Sequence, residues 1–220
     1  QLPPGGDRQP PADAEGAAVR GLEALYARYE NHAPGLLGVR RNYAVLCPFV
    51  EQNGEPHVLL EVRAKELRQG GEVCFPGGAM EAGETAAECA LRETEEELGI
   101  PRGEVTIFGE SDFQAGQDGF MLRPLLGEVT AKGFAAMRPS AAEVAEVFTV
   151  PLRFFRHTEP ELYTYELVPN IPPEFPYEAV GVSREYPWRG GKVQVPIWYY
   201  EGHVIWGLTA RVLLDITREV

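Results

Sequence analysis

The chain has 220 residues, with 20 Lys and Arg against 33 Asp and Glu, a net charge of −13 at neutral pH. So acidic a surface disfavours nonspecific nucleic-acid binding, which needs cations against phosphates. A content of 44% hydrophobic and 24% charged residues argues against a disordered or fibrous chain. The length predicts one sizeable domain with a real core, and no run approaches the roughly 18 apolar residues of a membrane span.

In chain order, residues 1–15 read as a flexible leader rich in Pro, Gly and Asp, ahead of a single domain over 16–220. With neither a basic n-region nor an apolar h-region at the start, and with Cys47, Cys74 and Cys89 forming no C-x-x-C pair, the expectation is a cytoplasmic protein with reduced thiols. Val19, Leu22, Leu25, Tyr26 and Tyr29 predict a helix from about Ala17 to Glu30. Tyr43–Val50 and His57–Arg63 predict two strands joined as a hairpin, with Pro48 suggesting an edge position or a bulge. A glycine-rich loop, Gln69 to Gly83, leads into a strong helix. Val105–Phe108, Phe120–Val129, Tyr163–Val168 and Val193–Tyr200 read as strands, and Pro151–His157 as a short helix. Ala141–Val150 fits helix or strand, residues 169–191 read as an irregular loop or lid, and Trp206–Arg218 as a closing amphipathic helix. The pattern is that of helices around a mixed sheet.

The strong helix carries the chemistry. Thr85 and Glu88 form a T-x-x-E capping box, Gly99 suits the position after the last turn, and Pro101 forbids continuation. Ala87, Ala90, Leu91, Thr94 and Leu98 fall on one stripe, which predicts the core face. Glu93 and Glu97 fall beside that stripe, with Glu96 further round. Clustered glutamates on a helix are usually a solvated face. A glycine loop aimed at them changes the reading: oxygen ligands at i, i+3 and i+4 beside a loop carbonyl suit Mg²⁺ or Mn²⁺, ions that bridge phosphates and activate water.

The run G-x5-E-x7-R-E-T-x-E-E-x-G-I from Gly78 to Ile100 resembles the Nudix box, with Thr94 where an aliphatic is expected. The resemblance implies a Nudix-like α/β/α sandwich around a mixed β-sheet that hydrolyses a nucleoside diphosphate linked to another moiety. By position, Glu93 and Glu97 would be the principal metal ligands, and Glu96 a further ligand or the base that takes the proton of the attacking water. A carbonyl near Gly77 or Gly78 would complete the inner shell, and Arg92 with Glu84 would brace the loop against the helix.

Upstream, Leu59-Leu-Glu-Val-Arg-Ala-Lys-Glu-Leu-Arg-Gln-Gly-Gly-Glu-Val-Cys-Phe-Pro-Gly-Gly78 resembles the pattern of the coenzyme A diphosphatase branch of Nudix enzymes. Glu61 replaces a Thr of that pattern, and Arg68 stands one residue closer to Gly71. Coenzyme A carries a 3′-phosphate besides its diphosphate, so a preference for it needs extra cations. Arg63, Lys65 and Arg68, with Phe75 beside them, are the candidate substrate contacts, and Arg40 and Arg41 weaker ones. Glu143 and Glu146 are candidates for an extra carboxylate near the metal, and Tyr177, Trp188 and Arg189 for a cover over the substrate.

The function this implies is metal-dependent hydrolysis of coenzyme A or its thioesters to 3′,5′-ADP and 4′-phosphopantetheine or its acyl derivative. The expected partner is that small nucleotide, with no nucleic acid and no membrane, and with room for a homodimer. The alternative is hydrolysis of ADP-ribose, NADH or another nucleoside diphosphate derivative. A nucleotide-sensing module without activity is the third reading, and Arg92, Glu93, Glu96 and Glu97 together argue against it.

Overall fold

The computed structural model describes residues 21–32, 35–116 and 118–218. The expected leader, residues 1–15, lies outside the described residues. The chain divides into two units, Gln1–Leu37 and Gly38–Val220. In the first, helix α1 spans Glu23–Tyr29 and buries none of its residues. It is shorter than the spacing predicts, Val19 lies outside the described residues, and Leu25, Tyr26 and Tyr29 are exposed.

The second unit is built on a mixed sheet. Strands β1 (Arg41–Gln52) and β2 (Glu55–Arg63) form a hairpin through Asn53 and Gly54, both at positive φ, the backbone a two-residue turn requires. Their pairing covers only Phe49–Gln52 against Glu55–Val58; beyond it the two strands fork. Two short strands fill the fork, β3 (Val73–Cys74) on β2 and β4 (Gly77–Ala79) on β1. Strands β5 (Val105–Glu110), β6 (Gln114–Ala115) and β7 (Phe120–Val129) follow, and β7 runs parallel to β1 with β5 and β6 antiparallel to it. Beyond β2 lies β8 (Val144–Pro151), so the segment that fitted helix or strand is a strand.

Pro48 is neither on an edge strand nor in a bulge; β1 is central, flanked by β7 along its length. The fork explains how proline is accommodated. Residues 43–45 pair with β4 and residues 49–52 with β2, so Pro48 falls where β1 changes partner and no N–H is demanded on that side.

Helix α2 (Ala86–Leu98) starts with the reciprocal Thr85–Glu88 capping box and ends on Gly99 in the left-handed region. It covers one face of the sheet, where Ala44, Leu46 and Leu125 meet Ala86, Cys89 and Ala90. Alternate residues of the same strands point to the other face, where Cys47, Val58 and Leu60 join a core with Phe155, Trp198 and Leu213. That second layer is made by α4 (Leu152–His157), a three-stranded sheet of β9 (Glu161–Leu167), β10 (Gly191–Tyr200) and β11 (His203–Trp206), and α5 (Gly207–Thr217). Trp206 therefore closes a strand instead of opening the last helix. A short helix, α3 (Ala131–Ala136), packs after β7 and had no clear periodic signal. The architecture is α/β, a mixed sheet between helical layers. Among the described residues no helix is long and apolar enough to cross a membrane.

Between β9 and β10, residues 168–190 form no strand or helix. Phe175, Tyr177, Tyr186 and Trp188 pack edge to face on one another, and Arg184 lies over Tyr177. The aromatics expected to cover a substrate thus have partners within their own loop.

Candidate active site

The buried face of α2 is turned from the predicted one. Ala86, Cys89, Ala90, Thr94, Glu97 and Leu98 are buried, while Ala87 and Leu91 are half-buried. The stripe has rotated by about a fifth of a turn towards the glutamates, which places Glu97 inside it, 6% exposed. The cause is the fork: α2 packs on both β1 and β4, so the loop between β3 and the helix covers a flank that would otherwise face solvent. Thr94, 1% exposed, donates its hydroxyl to the Ala90 carbonyl one turn back, at 2.6 Å.

Glu97 reaches into the fork and accepts the Gly77 N–H at 2.8 Å. Across from it stands Glu61 of β2, fully buried, paired in register with Cys74. Its Oε1 accepts the Cys74 thiol at 3.5 Å, and its Oε2 is buried without a hydrogen-bond partner among the described residues. Burial pushes both carboxyls up, Glu61 to about 7 and Glu97 to about 8. The Cys74 thiol and Arg63 act against this at Glu61, as the Gly77 N–H and Arg63 do at Glu97; Glu143 and Glu93 add repulsion at Glu61, and Glu61 and Glu93 add it at Glu97. Glu93 is also pushed up by burial, with Arg92 acting against it and Glu96 and Glu143 adding repulsion. Glu143, in the turn before β8, therefore belongs to the gathering, as one of the two extra candidates. Glu146 points elsewhere, to His203 at 3.1 Å.

Arg92 ties the loop to the helix. Its Nε and Nη2 donate to the two oxygens of Glu84 at 2.9 and 3.1 Å, and its Nη1 to Glu93 at 2.8 Å and Glu96 at 3.1 Å. Nη2 also donates to the Ala79 carbonyl at 3.3 Å. The fork of the guanidinium matches the carboxylate, and it holds the Glu84 carboxyl down to about 2. Glu96 keeps its side chain 54% exposed. Gly78 lets the loop approach the helix: its carbonyl receives the Cys89 thiol at 3.6 Å, and its bare Cα faces the Glu93 carboxylate.

No three His, Cys, Asp or Glu side chains among the described residues already converge as a finished metal cage. Arg92 engages Glu93 and Glu96, and the loop amide engages Glu97. The donor chemistry nonetheless fits a hard divalent cation. It is all oxygen, it is largely buried, and Glu61 brings an unpartnered oxygen to a place where positive charge would favour the ionised forms that burial disfavours.

Beside Gly77 and Gly78 opens a cavity of ≈ 420 Å³ walled by Arg41, Arg63 and Arg68, with Tyr43 and Phe120 between them. Arg41 donates to Asp118 at 2.8 Å across its mouth. Arg68 lines the cavity despite the shortened spacing to Gly71. Lys65, grouped with these arginines in the sequence, is exposed and does not line it. Phe75 is buried, 4% exposed, in the wall of an adjoining cavity. A separate apolar cavity of ≈ 470 Å³ between Phe49, Phe108 and Ile216 lies at the hairpin end of the sheet, away from the carboxylates.

Glu61 is the residue that the sequence reading passed over, as a mismatch to a pattern. The signal was present: a lone carboxylate inside the apolar run Leu59-Leu-Glu-Val62, on a strand whose central residues, 57–61, are all buried.

The chain matches the NUDIX domain over residues 40–171. A Yersinia enterocolitica protein named as an uncharacterized Nudix hydrolase, NudL, is 32% identical over 211 residues, 91% of this chain and 94% of that one. Its Photorhabdus laumondii namesake is 31% identical, with 82% and 85% of the two chains aligned. Nudix hydrolase 3 of Caenorhabditis elegans is 40% identical over 50% of this chain and 47% of its own. Among solved structures, the Nudix hydrolase RenU of M. smegmatis superposes with a TM-score of 0.46 at 26% identity, over 57% of this chain and 78% of that one.

Proposed function

The chain belongs to the NUDIX domain family, and from that premise we propose that it hydrolyses the diphosphate of coenzyme A or its thioesters to 3′,5′-ADP and 4′-phosphopantetheine or the acyl derivative. Nudix hydrolases act on phosphoric anhydrides of small nucleotide derivatives and generally require a divalent cation. Glu93 and Glu97 would hold that cation, here Mg²⁺ or Mn²⁺, with Glu61, Glu96 and the carbonyls of Gly77 and Gly78 within the same cradle. When bound, it supplies neutralisation of the diphosphate charge and a more acidic water.

The rest is the work of the chain's own residues. Arg92, locked by Glu84, holds the loop and helix in register, so that Glu93 and Glu96 stay aimed at the diphosphate. A carboxylate of this set takes the proton of the attacking water, whose oxygen bonds to one phosphorus as the bridging P–O bond breaks and the other phosphate leaves with the electron pair. Arg63, Arg68 and Arg41 face the phosphates, and Tyr43 and Phe120 offer ring faces to a base.

The observation that carries the reading is the arginine-walled cavity opening directly on Gly77 and Gly78. Arg41 is paired with Asp118, which leaves Arg63 and Arg68 for the substrate's phosphates, and a 3′-phosphate beside the diphosphate would use them. The second reading, ADP-ribose or NADH, draws support from the shortened spacing between Arg68 and Gly71. The test is incubation with Mg²⁺ or Mn²⁺ and coenzyme A, 3′-dephospho-coenzyme A, ADP-ribose or NADH, with products identified by mass. Preferential release of 4′-phosphopantetheine from coenzyme A is the expected result. Preference for ADP-ribose or NADH would transfer the assignment to the second reading.

A further inference from the structure

Two cavities meet at Gly77. The arginine-walled one continues, past Arg63, Leu122 and Leu208, into a second of ≈ 300 Å³ that runs between β3 and the start of α5. The walls change character along the way. The inner part is made of Val73, Phe75 and Val212, all buried, with Trp206 and Leu208 at its opening. Two polar groups of this inner part are already committed: the Thr209 hydroxyl donates to the Val73 carbonyl at 3.2 Å, and the Cys74 thiol to Glu61. Arg63, at the junction, is the one cation among its lining residues, and Glu72 lies on the same wall.

One further observation points to a ligand here. Trp206 is 43% and Leu208 41% exposed, large apolar surface beside a buried apolar recess. Leu208 is also held in place, since its carbonyl accepts the Gln114 side-chain amide at 3.2 Å from across the unit.

We infer that this second cavity receives the non-nucleotide end of the substrate, and that this end is an extended, uncharged chain of methylene and amide groups instead of a second nucleotide. The assignment rests on the reading that the carboxylates at Gly77 cleave a diphosphate. It follows from where the charges are. A diphosphate seated at Gly77 directs one substituent towards Arg41 and Arg68 and the other between Phe75 and Trp206. A second phosphorylated nucleoside in that recess would meet no cation beyond Arg63 and would face Glu72, with its phosphates desolvated and unpaired. An apolar chain would instead cover Trp206 and Leu208, and its amides would reach Gln69 at the junction.

The experiment compares the wild-type protein with Leu208→Glu and Trp206→Ala, both at exposed positions. Hydrolysis is measured with Mg²⁺ on coenzyme A and on adenosine 3′-phosphate 5′-diphosphate, which has the same nucleotide half and no chain. Binding of pantetheine alone is measured by calorimetry, without reference to turnover. The expected result is a KM for coenzyme A raised by about tenfold or more in Leu208→Glu, with kcat little changed. Trp206→Ala, at a residue that lines the second of the two cavities and not the first, moves KM the same way while the chainless compound responds far less to it, and pantetheine binding weakens in both variants. Equal KM for coenzyme A in all three proteins, or no saturable binding of pantetheine to the wild type, would overturn the assignment even with hydrolysis intact. Pantetheine binding that the variants weaken, in a protein that cleaves no diphosphate, would keep the cavity and remove the hydrolase reading.

Discussion

A Cβ built on Gly78 would stand 2.3 Å from Oε1 of Glu93. The atom it meets is the far end of a flexible side chain, so the fold can yield while the carboxylate loses its position. One residue earlier the conflict is different: a Cβ on Gly77 would stand 2.4 Å from the Ala44 carbonyl and 2.6 Å from the Val45 Cα, both main-chain atoms of β1. Gly78→Ala is therefore expected to leave the thermal midpoint nearly unchanged and to lower kcat about a hundredfold by displacing Glu93. Gly77→Ala is expected to cost about 1–3 kcal/mol of stability, because the β4–β1 pairing must open. Thermal denaturation and steady-state assays on the two proteins would separate them; the reverse ranking would refute this account of the loop.

Glu97 and Glu61 have separable contributions. Glu97 joins the loop amide to the carboxylate cradle, so Glu97→Gln is expected to abolish measurable turnover while the fold survives. Glu61 lies across the fork with one oxygen unpartnered. Glu61→Gln is expected to raise the Mg²⁺ concentration for half-maximal rate by about tenfold or more. Turnover that survives Glu97→Gln would show that the cation is held elsewhere.

The same pair fixes the direction of a pH effect on the metal-free protein. In the unfolded chain both carboxyls titrate near 4.5; in the fold Glu61 is raised to about 7 and Glu97 to about 8. The folded state thus binds more protons across that interval, and the stability this gives is complete below about pH 4.5 and lost as pH climbs through 7 and 8. After chelation, the melting temperature is expected to fall between pH 5 and pH 9 by more than in a Glu61→Gln, Glu97→Gln double variant. Added Mg²⁺ should restore more of it at pH 8 than at pH 5. Equal slopes in the two proteins would rule out these carboxyls as the source.

Thr94 is a polar group in the buried stripe, its hydroxyl satisfied only by the Ala90 carbonyl within the same helix. Valine has the same shape and no hydroxyl to desolvate. Thr94→Val is expected to raise stability by about 1 kcal/mol with kcat and KM unchanged. A lower melting temperature would mean that the back-bond contributes more than its desolvation costs.

The sequence by itself determined the local and periodic features. Thr85, Glu88, Gly99 and Pro101 set both ends of α2 because capping depends only on neighbours in the chain, and the helix runs Ala86–Leu98. The hairpin of β1 and β2 was legible through the polar segment Glu51–Pro56, although the strands run on to Gln52 and from Glu55 and leave only Asn53 and Gly54 as the turn. The pairing of Arg92 with Glu84 was legible only through the likeness to the Nudix box, since the ion pair joins the helix to the loop before it. Tertiary structure alone decided which side of α2 is buried, since the covering loop comes from a fork between strands that no periodicity records. It decided that Pro48 sits at a change of partner in a central strand, and that Lys65 turns to solvent while Arg41, from another strand, joins Arg63 and Arg68. Above all it brought Glu61 opposite Glu97: 36 positions separate the two in the chain, and only the divergence of β1 from β2 leaves space for both carboxylates to share it.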